Sequence, residues 1–148
     1  MPLHLEDLYV GQRFTSPTHE MTVEEIVAFA RQFDPQPFHL DANTAMDSLF
    51  GELVASGWHT AAMTMRLMLA SDLNVEGGLF GNGGELRWPQ PTRPGDILRV
   101  EVEILEVRPS KSHPERGIAR FRTETKNQRN ETVQTFEAML VVPRREAI

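Results

Sequence analysis

The chain has no cysteine. That absence excludes disulfide frameworks, thiolate metal sites and cysteine nucleophiles together, and it leaves stability to a buried core. A reducing compartment is compatible with it. Clustered positive charge is missing as well: 15 Lys and Arg stand against 21 Asp and Glu, the net charge is −6, and the cations are scattered apart from Arg144 and Arg145. Without a basic footprint, neither duplex nor single-stranded nucleic acid is an expected partner. Long apolar runs are also lacking, since no window approaches the roughly eighteen residues of a membrane span. The N-terminal segment MPLHLEDLYVGQRF carries acidic residues, where a targeting peptide has basic ones followed by an apolar stretch. A cytoplasmic protein with no membrane partner is expected.

The 148 residues, 40% of them hydrophobic, suit one domain spanning 1–148 that buries roughly two-thirds of its unfolded surface. Thr22-Val-Glu-Glu25 has the spacing of a capping box, and Ile26, Val27, Phe29, Ala30 and Phe33 continue it as an apolar helical stripe, so a helix is predicted over 23–33. Pro35 and Pro37 disfavour helical geometry at Asp34 and Gln36, so the chain is expected to leave that helix in an extended, stiff turn carrying Asp34 and His39. A short helix is predicted from Thr44 to Phe50, ended by Gly51, and a longer one from about Gly57 to Ser71. In the longer helix Trp58, Ala61, Ala62, Met65, Met68 and Leu69 are apolar at helical spacing, which predicts burial on most sides.

After Asn74 the character changes. Gly77-Gly-Leu-Phe-Gly81-Asn-Gly83-Gly84 reads as a flexible connection; without the Lys-Ser/Thr of a phosphate loop or a following helix it carries no nucleotide site. Beyond it Leu98, Val100, Val102 and Ile104 alternate with Arg99, Glu101, Glu103 and Leu105, the signature of a half-buried antiparallel strand. Further strands are predicted over about 117–126 and 131–142, with turns at 109–116 and 127–130. One strand before Pro89 and a short one near Arg13 to Glu20 complete a sheet of about five. A long apolar helix followed by antiparallel strands implies an α+β domain whose sheet curls around the helix. One helix cannot cover a large sheet, so an apolar face or strand edge is expected to meet a second copy, giving a homodimer or higher homo-oligomer.

The segment Phe33-Asp34-Pro-Gln-Pro37-Phe-His39-Leu-Asp41 sets a carboxylate and an imidazole on one stiff turn. Imidazole titrates near neutrality, and a carboxylate within hydrogen-bond reach can orient it or hold a water beside it, so the two form a candidate acid/base pair. From spacing alone an alternative stands, in which Asp34 closes a turn and His39 is an ordinary surface residue. His39, Asp41 and Asp34 match no established metal-ligand spacing, and no metal is expected.

Asp34-Pro-Gln-Pro37-Phe-His39 is similar to the Asp-x-Asn-Pro-x-His signature of (R)-specific enoyl-CoA hydratases and MaoC-like dehydratases. Leu53-Val-Ala-Ser56-Gly57 resembles the stretch ahead of that family's central helix, and Pro91-Thr-Arg-Pro94-Gly95-Asp96 resembles the turn that opens its long strand, so the likeness covers nearly the whole chain in order. The resemblance implies a hot-dog fold and reversible addition of water to the double bond of a trans-2-enoyl-CoA. It implies no cofactor beyond the coenzyme A of the acyl-CoA thioester substrate. Asp34 and His39 would share the water and the proton transfers, and the Gly57 N–H would meet the thioester oxygen.

Two residues depart from the family pattern: Gln36 stands where Asn is common, and Ser56 where many members have His. Both are expected at the substrate. Ser56 lacks the Gly-x-Ser-x-Gly setting of a nucleophile and also reads as a helix cap. Trp58, with Met63, Met65 and Met68, reads first as core and second as the lining of an acyl tunnel. His59 is expected to border the site, and Arg87, Arg93 and Lys111 are the cations considered for coenzyme A phosphates. Two alternatives stay open. One is a hot-dog thioesterase, in which the carboxylate directs water at the carbonyl carbon; the other is a non-catalytic acyl-thioester-binding subunit, which the Gln36 departure keeps in view.

Overall fold

In the computed structural model, which describes residues 1–145, the Glu25 N–H donates to Thr22 Oγ1 at 3.2 Å and the Thr22 N–H to Glu25 Oε1 at 2.9 Å. This reciprocal cap starts helix α1 (Val23–Phe33), which buries Ile26 and Ala30. The chain beyond it does not stay extended. Pro37 opens a single helical turn, α2 (Pro37–Leu40), and His39 rides on it. Proline suits a first helical position because its missing N–H is not needed there and its φ is already helical. The short helix expected at 44–50 is displaced for a related reason. Asp41 accepts from the Asn43 N–H at 3.0 Å and starts α3 early, at Ala42–Ala45, after which the chain runs through turns in place of a helix.

Six strands form an antiparallel sheet: β1 (Arg13–Thr15), β2 (His19–Glu20), β3 (Phe80–Arg87), β4 (Ile97–Pro109), β5 (Arg116–Lys126) and β6 (Thr132–Pro143). Their order is β1-β4-β5-β6-β3, with β2 also on β4. The segment 13–20 supplies two strands where one was expected. Pro17 lies between them, and a residue without an N–H cannot donate to a ladder. The alternation in β4 is realised, with Leu98, Val100, Val102 and Ile104 all buried and Val102 opposite Thr123, Ile104 opposite Phe121.

The long helix α4 (Gly57–Leu69) packs on β4 and β6, and its Met63, Leu67 and Met68 join Phe121, Val133, Leu140 and Val142 in the core. This is the α+β hot-dog arrangement, with the sheet around α4. The helix is rotated from the expected orientation. Its buried stripe is His59, Thr60, Met63, Thr64, Leu67 and Met68, whereas Trp58, Met65 and Leu69 are exposed. The threonines go inside because their hydroxyls are satisfied there: Thr64 Oγ1 donates to Thr60 O at 2.8 Å, and the Thr64 and Thr125 hydroxyls pair at 2.6 Å.

The glycine-rich segment is also not a loop throughout, since β3 begins at Phe80. A Cβ on Gly84 would lie 2.2 Å from Glu137 O, and one on Gly81 2.8 Å from Met139 O. These glycines let β3 approach β6 closely, and the register shifts between them. No helix among the described residues is long and apolar enough to cross a membrane.

Candidate active site

Asp34 sits where α1 ends, its N–H donating to Ala30 O at 2.8 Å. Its carboxylate is held from two sides. Ser56 Oγ donates to Oδ2 at 2.7 Å and Gln36 Nε2 donates to Oδ1 at 2.5 Å. Burial alone would raise this carboxyl, but the bonds from Ser56 and Gln36 and the neighbouring imidazole of His39 outweigh it and hold it below the ordinary value. Asp34 is therefore a carboxylate at neutral pH.

The turn α2 carries His39 to the other side of that carboxylate, with His39 Nε2 3.3 Å from Asp34 Oδ2. The ring is buried, and its Nδ1 lies 2.7 Å from Val54 O. A carbonyl oxygen only accepts, so Nδ1 carries a proton, and Nε2 is the ring nitrogen turned to Asp34. The Val54 N–H donates to Phe38 O at 3.2 Å, which ties α2 to the segment leading into α4. The Asp34 carboxylate and His39 Nε2 therefore stand side by side at the end of α1 and on α2. A carboxylate and an imidazole nitrogen so placed can take a proton from a water and return it.

Both groups line a cavity of about 500 Å³ that Gly57 also lines. Gly57 is the first residue of α4, and among the described residues nothing accepts from its N–H. A free N–H at a helix N-terminus suits a developing oxyanion. Asp34, Gln36, His39, Gly57 and Trp58 thus share one cavity, with Trp58 at its rim, 60% exposed.

Five other expectations are not met. Ser56 has no exposed surface and is not in the cavity wall; it caps α4 by accepting from the Trp58 N–H at 3.2 Å while donating to Asp34, so it acts on the carboxylate and not on a ligand. Arg87 lies outside this cavity on the exposed edge strand β3, 3.8 Å from Glu85. Arg93 is paired with Glu52 at 3.0 Å in a separate depression. His59 stacks on Phe29 with ring centroids 4.6 Å apart, away from the cavity, and burial lowers its pKa. Lys111 is an exposed residue of the β4–β5 turn. Among the described residues no cluster of three or more His, Asp or Glu is arranged to hold a metal ion.

Trp88, Gln134, Thr60 and Thr92 were not anticipated. Trp88, Thr60 and Thr92 line the cavity, and Trp88 Nε1–H donates to Gln134 Oε1 at 3.0 Å. The one signal in the sequence was that Trp88 is one of two tryptophans and directly precedes a proline.

A family model described as the MaoC like domain matches residues 9–127. The crystal structure of a MaoC-like dehydratase from Rhodospirillum rubrum superposes with a TM-score of 0.95 at 55% identity, covering 98% of this chain and 99% of that one. A 3-hydroxybutyryl-CoA dehydratase from Methylorubrum extorquens is 32% identical over 145 residues, 97% of this chain and 87% of that protein. The R-hydratase PhaJ1 from Pseudomonas aeruginosa superposes with a TM-score of 0.79 at 28% identity, covering 97% of this chain and 88% of that one.

Proposed function

This chain belongs to the MaoC-like domain family, and from that premise we propose that it is a hydro-lyase adding water reversibly to the double bond of a trans-2-enoyl-CoA thioester. The observation that carries the reading is the 3.3 Å approach of Asp34 Oδ2 and His39 Nε2 at the wall of the cavity that Gly57 shares. With the thioester oxygen at the Gly57 N–H, the β-carbon faces the water held by Asp34 and His39. The water oxygen bonds to the β-carbon, the π pair moves to the α-carbon and thioester oxygen, and the Gly57 N–H meets the negative charge. The water's proton passes to the Asp34–His39 pair and from it to the α-carbon, so the net addition is one water. Dehydration is the reverse.

Asp34 and His39 are the only charged or titratable side chains lining the cavity among the described residues. A second carboxylate on the acyl group would lie near Asp34 with no cation to pair it, so the acyl group that suits this wall is uncharged. Gln36 keeps its amide on Asp34 despite the longer arm, which supports a catalytic site over a subunit that has lost activity. The exposed stripe of Trp58, Met65 and Leu69 and the exposed edge strand β3 support a homodimer.

A panel of enoyl-CoA esters, followed by loss of the conjugated thioester absorbance, tests the proposal, with saturated acyl-CoA esters as controls for thiol release. Absorbance loss without free thiol is the expected result. Thiol release from saturated esters would mean a thioesterase, and no turnover with tight binding would mean a carrier.

The Ser56 bond to Asp34 gives a separate expectation. In Ser56→Ala the carboxyl loses a donor that lowers it, so its pKa rises and the acid limb of the pH–rate profile moves to higher pH. The lost cap should also cost about 1 kcal/mol in thermal unfolding. An acid limb that stays put in a folded variant would remove Asp34 ionisation from the rate.

A further inference from the structure

We infer that Trp88 determines specificity: its indole is a fixed wall against which the acyl chain lies, and it restricts the site to short chains. The inference rests on the hydro-lyase reading and deepens it.

Three contacts hold the ring. Its Nε1–H donates at 3.0 Å to Oε1 of Gln134, a β6 side chain that is 1% exposed and so has no freedom to follow a moving partner. The ring also lies on the backbone of Gly57: a Cβ there would stand 2.6 Å from Cε2, 2.7 Å from Cδ2 and 2.8 Å from Cζ2 of the indole. Trp58 meets it edge-on, with ring centroids 5.2 Å apart and planes at 85°. Trp88 is 41% exposed, and these contacts at the polar tip, one face and one edge of the indole hold the open side of the ring in place.

Gly57 is absent a side chain where the indole needs the room. The residue whose N–H serves the thioester oxygen is thus the residue the indole covers. An acyl chain bound through that oxygen has its reacting carbons beside Trp88, and every further methylene must pass the ring. The cavity of about 500 Å³ must also hold the water and the thioester. Phe50, Val54 and Val133 add apolar surface to the same cavity, which suits an acyl chain lying against the ring.

The test compares kcat/KM for crotonyl-CoA and trans-2-octenoyl-CoA in the wild type, Trp88→Ala, Trp88→Leu and Gln134→Leu. The wild type should favour the short ester by at least about tenfold, and Trp88→Ala should raise the long-to-short ratio by at least about tenfold, chiefly through KM for the long ester. Trp88→Leu carries the same expectation should the alanine variant fail to fold. Gln134→Leu keeps the ring but frees its tip, so it should shift the ratio in the same direction by less. An unchanged ratio in a folded Trp88 variant, or a wild type indifferent to chain length, would overturn the inference. Calorimetric affinities for butyryl-CoA and octanoyl-CoA read the same wall without turnover. A binding preference that Trp88→Ala abolishes, in a protein that hydrates nothing, would uphold the wall and reject the hydro-lyase.

Discussion

Asp34→Asn and His39→Ala should each lower hydration of a crotonyl-CoA-like substrate by at least about a hundredfold. In Asp34→Asn the carboxylate charge beside His39 is lost, and an amide nitrogen must face either Gln36 Nε2 or Ser56 Oγ, both donors in the native arrangement. Ser56 can rotate to accept, so the fold should survive. In His39→Ala the Val54 carbonyl, which takes the ring N–H at 2.7 Å, loses its buried partner, for a stability cost of about 1–3 kcal/mol. Thermal melting therefore belongs beside the kinetics, since only a rate loss in folded protein bears on chemistry. Wild-type rates in both variants would remove this pair from the mechanism.

Gly84→Ala should be the most damaging of the glycine substitutions in the 77–84 segment, costing about 3 kcal/mol and lowering the melting temperature on the order of ten degrees. Its Cβ would stand 2.2 Å from Glu137 O and 2.7 Å from Ala138 Cβ, and both obstacles belong to or sit directly on the backbone of β6, which cannot yield without separating the two strands. Gly77→Ala is the contrast. Gly77 has φ +80 but open space around its Cβ position, so only the cost of a left-handed alanine applies, about 1 kcal/mol. If the two variants melt together, close strand approach is not what glycine serves at position 84.

These glycines also mark where the sequence stops being readable. A glycine that frees a loop and a glycine that admits a neighbouring strand look alike in a single chain, and the difference lies in Glu137 and Met139, more than fifty positions away. Strand β4 could be read because its alternation is strict and one face is buried. Helix α1 could be read because its cap is local. Helix α4 was found but turned wrongly: it is apolar on both sides, and the choice of buried face fell to hydroxyls whose partners, Thr92 and Thr125, lie on other segments. The same division runs through the site. Asp34, Gln36 and His39 lie within six residues of one another and stood out together, whereas Trp88 and its anchor Gln134 are 46 positions apart. Ser56 was read as a cap, which it is, but its second bond to Asp34 spans 22 positions and left no local trace.

The Ser56 hydroxyl has one proton and gives it to Asp34, while its lone pair receives the Trp58 N–H. Loosening of the first helical turn would therefore also take one of its two donors from the carboxylate. One hydroxyl thus ties the integrity of a helix start to the electrostatics of a side chain 22 positions away, so disturbing either end of that link is expected to be felt at the other.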